Sequence, residues 1–283
     1  MTVFQQIDLP ELAVEQFAAA ISQCGACRSY HALWPYLRLT HWVGGIEADQ
    51  AQLVPALSSL LNAAPQRVLI AGSADTGVTA LVHHAAGQMA KQHEITVADR
   101  CATPLQVCST YATRHGLTLT CLPCDLRELT LHDEFDVVVG HSILPWLDPA
   151  GRQKALRNLR QALVLGGHMV LNTRLGVPGQ SAGKGARPAG WAQEMQRVLL
   201  SQFAKLNIVC PCPLEEFGAL VKTYAPPDFN ASYADQAALE SDLNDAGFEV
   251  EEWAASGVGL AYMPDGSVKA SMRQGWVAVA KAK

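Results

Sequence analysis

The chain has 283 residues, 49% of them hydrophobic, with a formal net charge of −5 and a sequence pI near 6.0. That composition supports one sizeable core with an added cap, and the lack of any basic stripe excludes nucleic acid and anionic membrane as expected partners. No apolar run approaches the ~18 residues of a membrane span, and the opening MTVFQQIDLPELAVEQF lacks the basic-then-apolar order of a signal peptide, so a cytoplasmic location is expected.

Residues 10–24 read as a helix, with Leu12, Val14, Phe17, Ala18 and Ile21 on or near one face. An aromatic stretch follows, YHALWPYLRLTHWVGG, holding Tyr30, Trp34, Tyr36 and Trp42. Residues 51–62 read as a second helix, in which Pro55 is tolerated only if it sits in the first turn, where a missing N–H costs nothing. After Pro65 short apolar runs alternate with longer helical ones. RVLIA (67–71) is the first strand and 77–91 a helix; EITVAD (94–99) is the second strand. Thr103 and Pro104 have the form of a helix start, a capping hydroxyl followed by proline. LTLTCL (117–122) is the third strand, and FDVVVG (135–140), nearly all β-branched, is a fourth that should be buried on both faces. A helix over 149–163 is expected to stop at Gly166-Gly167 before a fifth strand, HMVLNTRL (168–175). Residues 176–234 break the rhythm: a glycine-rich loop, then helical segments near 190–206 and 213–224. A helix at 235–246 and strands at 248–255 and 273–282 close the chain. Such alternation predicts an α/β fold built on a doubly wound, mostly parallel sheet. The domain division expected is a helical and aromatic cap over 1–64, a sheet domain over 65–175 and 235–283, and a lid over 176–234 whose glycines would let it open and close.

In such sheets ligands bind at the carboxyl ends of the strands, near the point where strand order reverses. Residues 72–77, GSADTG, fit G-x-A-x-x-G, one step from the dinucleotide fingerprint, and Asp99 ends the second strand 22 positions after Gly77, where a ribose-binding acid belongs. Asp75 lies inside this turn. A carboxylate there would repel a pyrophosphate seated on the helix start but not a ligand bearing sulfonium and ammonium groups; a helix-capping role for Asp75 explains it equally well. The cysteines form two CxxC pairs, Cys24/Cys27 and Cys121/Cys124, and a CxC, Cys210/Cys212. The 94-position step from Cys27 to Cys121 lies far outside zinc-ribbon spacing, so free thiols in a reducing compartment, and no metal, are expected.

With RVLIAGSADTG, VADR, LPCDL, FDVVVGHSILPWL, LRQALVLGGHMVL and DLNDAGFEVEEW in view, the chain resembles the class I S-adenosylmethionine-dependent methyltransferases over about residues 65–175 and 235–282. The resemblance implies a seven-stranded Rossmann-like sheet with the last strand antiparallel. It implies S-adenosylmethionine as cofactor, S-adenosylhomocysteine as product, and methyl transfer to a small molecule. Gly72 and Gly77, with Ala71, Ser73 and Asp75, would surround the methionine part. Asp99 and Arg100 would hold the ribose, Asp125 and Leu126 would edge the adenine, and His141 and Ser142 would lie beside the methyl end. The turn departs from the family pattern: Ile70 stands where an acid is usual and Ala74 where a glycine is.

Methyl transfer is an in-line displacement on an activated carbon, so positioning dominates, and a base is needed only for a protonated nucleophile. His141 is the candidate base, or else a residue that packs against the cofactor. Tyr30, Trp34, Tyr36 and Trp42 are candidate substrate contacts, since aromatic faces attract cations, with core packing as the alternative for each. Arg174, with Lys184 and Arg187, could hold a substrate carboxylate. The competing function is a protein of the same fold that uses another carbon of the cofactor or only binds it. A homodimer is compatible with the sequence.

Overall fold

The computed structural model describes residues 8–43, 45–175, 190–224, 233–262 and 268–283, with 257–262 and 268–274 described by their backbone alone. Strands β1 (Arg67–Ala71), β2 (Glu94–Asp99), β3 (Thr118–Pro123), β4 (Phe135–His141), β5 (Leu163–Arg174), β6 (Phe248–Tyr262) and β7 (Val268–Ala282) form one sheet in the order β3-β2-β1-β4-β5-β7-β6. β7 runs antiparallel to both β5 and β6, and the other pairings are parallel. This is the Rossmann-like arrangement expected. The order reverses between β1 and β4, which fixes the crevice at the ends of those two strands.

Alternation along β1 assigns the two faces. Val68 and Ile70 pack with α3 (Gln50–Leu61), α4 (Gly77–Ala86) and α5 (Ala102–His115). Leu69 and Ala71 pack on the other face with α6 (Pro149–Ala162) and α9 (Gln236–Asp245). A third apolar cluster stands apart from the sheet. In it α1 (Leu9–Gln23) and α2 (Arg28–Leu39) bury Phe17, Leu33, Tyr36 and Leu37 against Leu199 and Phe203 of α7 (Trp191–Leu206) and Phe217 of α8 (Leu214–Thr223).

Several elements differ from the reading of the sequence. The aromatic stretch is helical despite Pro35, which is buried inside α2. A proline there removes the hydrogen bond to the carbonyl four residues back, that of His31. Gln16 of α1 replaces it: its amide nitrogen donates to His31 O at 2.9 Å and to Ala74 O at 2.9 Å. Pro55 lies past the first turn of α3; it and Ala51, whose carbonyl it leaves without a helical donor, are both exposed, so water can serve that carbonyl. The helix expected over 77–91 ends at Ala86, because Gly87 takes a positive φ of 51° and the chain continues as 3-10 turns. Thr103 does not cap α5. Cys101 is the N-cap, and the Asp99 carboxylate accepts from its N–H. Gly166 and Gly167 lie inside β5, which begins at Leu163 next to a bulge opposite β4. Gly167 is required there, since a Cβ would meet the Asp136 carbonyl at 3.0 Å. The two closing strands are longer than expected. Among the described residues no helix is long and apolar enough to cross a membrane.

Candidate active site

A cavity of about 500 Å3 opens at the carboxyl ends of β1, β2 and β4. The glycine turn forms one wall. Gly72 has φ +77°, and a Cβ there would meet Ile143 Cγ2 at 2.8 Å, so the backbone approaches the cavity as only glycine allows. Asp99 organises the turn: its carboxylate accepts from Ser73 N at 2.9 Å and Cys101 N at 2.7 Å. Burial pushes its pKa up, against the pull of those two N–H groups. Each carboxylate oxygen still has acceptor capacity toward the cavity.

Asp75 lines the cavity, but its charge is compensated. It forms an ion pair with the buried guanidinium of Arg38, which also pairs with Glu47, and its second oxygen accepts from Gly77 N at 2.7 Å. Thr76, not Asp75, is the N-cap of α4, though Asp75 still serves the first helical N–H, and the electrostatic case against a phosphate is weakened. One guanidinium shared by two carboxylates still leaves the trio with one excess negative charge. Asp125 is committed likewise: Arg127 donates from Nε at 2.9 Å and Nη2 at 2.6 Å, and that contact holds the carboxyl down at about 2. Leu126 and Arg100 complete this side of the lining.

Across the cavity His141 ends β4, and Ser142 follows in the left-handed region at φ 53°, its N–H donating to Asn172 O at 2.8 Å. Strained backbone of this kind persists only where surroundings enforce it. His141 Nε2 lies 3.0 Å from Asp49 Oδ2, and Arg174 Nη2 lies 3.6 Å from the same oxygen. Asp49 is fully buried. Burial raises its pKa, but hydrogen bonding from His141, the charges of His141 and Arg174, and the Ser256 hydroxyl outweigh it and hold the carboxyl below its ordinary value. Ser256 Oγ in turn accepts from Asn172 Nδ2 at 3.2 Å, so the network is rooted in β5 and β6.

The roof is aromatic. Tyr30 stacks on Trp34 (centroids 5.4 Å) and on Tyr224 (6.0 Å) and meets Trp146 edge-on at 4.7 Å; all four line the cavity. Tyr36 and Trp42, expected as substrate contacts, do not line it. Tyr36 is fully buried between Phe17 and Phe203, and Trp42 packs against the same cap cluster. Ala71, expected at the cofactor, points instead into the core on the α6 face. Lys184, Arg187 and the glycine-rich loop lie outside the described residues. Arg38, Asp49, Trp146 and Tyr224 were not singled out in the sequence. Trp146 alone had a local signal, its place just after β4 in HSILPWL.

The cysteines also rearrange. Cys121 and Cys124 do not meet the first pair; their thiols donate to Leu105 O at 3.2 Å and Asp125 O at 3.1 Å. Cys24 and Cys27 meet Cys101 instead, with His31 beside them.

Residues 73–167 match the sequence model of the methyltransferase domain. Over that third of the chain the sequence is similar to methyltransferase domains. No protein of curated function matches the sequence. Solved structures share the fold of this chain at low identity. A possible exported protein from Bordetella parapertussis is 17% identical at a TM-score of 0.50, with 82% of this chain and 66% of that chain covered, so this chain spans just under two thirds of it. A protein solved in connection with the conversion of a disulfide bond into a thioacetal group during echinomycin biosynthesis is 16% identical at 0.50, covering 84% of each chain. The YcgJ protein from Bacillus subtilis is 11% identical at 0.50, covering 82% and 97%.

Proposed function

We propose that this protein transfers a methyl group from S-adenosylmethionine to a small-molecule acceptor, with His141 as the general base. The observation that carries the reading is convergence in one cavity: the glycine turn and Asp99 form one end, and the His141–Asp49 pair and the aromatic roof the other. The residues fit the cofactor. The close backbone approach at Gly72 and the carboxylate of Asp99, preset by two N–H groups, suit a nucleoside with a ribose diol. The partly exposed ring of Trp34, stacked on Tyr30, suits a sulfonium. When bound, the cofactor supplies an electrophilic methyl carbon.

The rest falls to the chain. Asp49 can only accept, so in the neutral imidazole the Nε2 proton points at it and the bare Nδ1 is left to take a proton from the acceptor. This orienting arrangement is that of a base held by a buried carboxylate. Tyr30, Trp34, Trp146 and Tyr224 exclude water and place a flat or cationic acceptor. Arg174, already close to Asp49, suits an acceptor carrying a carboxylate. Calorimetric titration tests the reading: S-adenosylhomocysteine should bind and NADH should not. Transfer of a labelled methyl group to a panel of small phenols, amines and carboxylates then tests the chemistry. Tight NADH binding without an adenosylhomocysteine signal overturns it, and binding without transfer to any acceptor favours the binding-only alternative.

A further inference from the structure

Three helix ends meet beside the cavity. Cys24 is the C-cap of α1, Cys27 the N-cap of α2, His31 lies in the first turn of α2, and Cys101 is the N-cap of α5. Their donor atoms all lie within 4.8 Å of one another. Cys24 Sγ is 3.5 Å from Cys101 Sγ, Cys27 Sγ is 3.8 Å from Cys101 Sγ, and His31 Nδ1 is 3.5 Å from Cys24 Sγ and 3.4 Å from Cys101 Sγ.

We propose that Cys24, Cys27, His31 and Cys101 form a tetrahedral Cys3His site for a zinc ion. With Zn–S of about 2.3 Å and Zn–N of about 2.0–2.1 Å, tetrahedral angles place sulfurs roughly 3.8 Å apart and sulfur and nitrogen roughly 3.6 Å apart. The four separations given above agree with these to within a few tenths of an ångström. An iron–sulfur cubane would hold its cysteines at separate corners, too far apart for sulfurs in contact. Thiolates are supported at this place. Cys27 and Cys101 sit at helix N-termini, where the partial positive charge of the unpaired N–H groups favours an anion. Thr103 Oγ1 lies 3.1 Å from Cys24 Sγ, a hydroxyl placed to donate to a ligating sulfur. The Gln16 amide fixes the His31 backbone through its carbonyl.

Four protein ligands leave no open position, so the ion is structural. It ties the α1–α2 cap to the loop after β2, two residues beyond Asp99. It thereby fixes the Cys101 N–H that Asp99 accepts. C-x2-C-x3-H is a compact ligand run; the fourth ligand comes from 70 residues further on, which is why pairing the CxxC motifs with one another missed it.

Metal analysis of untagged protein purified under reducing conditions should give one zinc per chain. Cobalt substitution should give thiolate-to-metal charge-transfer bands and the intense visible bands of a tetrahedral ion. Cys27→Ala and Cys101→Ser should each lose the metal, while Cys121→Ser and Cys124→Ser should keep it. Circular dichroism identifies any variant that fails to fold, and the cobalt spectrum of the unmodified chain needs no variant. The proposal is overturned if reduced protein given excess zinc and desalted retains none, or if cobalt shows no thiolate bands. It fails equally if folded Cys27→Ala and Cys101→Ser keep the metal, or if a Cys24–Cys101 disulfide persists under reducing conditions.

Discussion

Replacing Asp49 by Asn separates orientation from binding. The substitution keeps size and shape but removes the negative charge from a fully buried position 3.0 Å from His141 Nε2 and 3.6 Å from Arg174 Nη2. Two effects follow. A hydrogen bond to a charged group contributes about 1.5–3 kcal/mol, so stability should fall by that order, read as a lower urea midpoint at unchanged slope. The imidazole also loses its fixed tautomer, because an amide offers both a donor and an acceptor where the carboxylate only accepts. If proton removal by Nδ1 contributes the usual 10²–10⁴-fold of general base catalysis, turnover should fall by about that factor, equivalent to about 3–5 kcal/mol of barrier. Affinity for S-adenosylhomocysteine should be nearly unchanged, since Asp49 does not line the cavity.

The tautomer can be read without an acceptor. In protein labelled with nitrogen-15 histidine, the His141 ring should carry its proton on Nε2 in the parent and distribute it over both nitrogens in Asp49→Asn. Glu at position 49 is no substitute, being one methylene too long for a site with no free surface. A proton on Nδ1 in the parent, or an Asn variant with unchanged tautomer and turnover, would refute the assignment. A variant that loses turnover only in proportion to cofactor affinity would make Asp49 a structural residue.

The sheet was legible because its physics is local. FDVVVG declares a strand buried on both faces, and RVLIA followed by GSADTG declares a strand and a tight turn. What was not legible depends on distance. The helix α2 was hidden by Pro35, whose cost is met by a glutamine from another helix. His141 could be chosen because it follows a strand at the switch point, but Asp49, 92 positions earlier on a 3-10 turn, had no local signature. Asp75 announced itself as a turn acid, yet its ion-pair partner is Arg38, which reads in sequence as an ordinary helix residue. Tyr36 and Trp34 look alike in the aromatic stretch. Two positions apart, they fall on different sides of α2, so one packs into the cap and the other lines the cavity.

Asp99→Ala should abolish adenosylhomocysteine binding in calorimetry and destabilise the fold by about 1–3 kcal/mol for each of the two N–H groups it strands; unchanged affinity would remove Asp99 from the site. Asp125 titrates at about 2 in the folded chain against an ordinary 3.8, so its contribution to stability is complete above 3.8 and is lost as pH falls toward 2. Arg127→Met should flatten acid unfolding in that window and leave neutral stability little changed, since the exposed guanidinium is screened by solvent. Gly72→Ala tests the cavity floor. A left-handed alanine costs roughly 1–2 kcal/mol, and the added methyl, 2.8 Å from Ile143 Cγ2, adds roughly 1–3 kcal/mol of overpacking unless the turn shifts. A shift carries Ser73 N away from Asp99, so cofactor affinity should fall along with melting temperature. Truncating Ile143 to Ala in the same chain removes Cγ2 and with it the clash, leaving Cβ at 3.7 Å, but not the backbone strain, so affinity should return in part while stability does not. If Gly72→Ala binds and melts like the parent, the turn has room that the structure does not give it, and the close backbone approach is not what shapes the site.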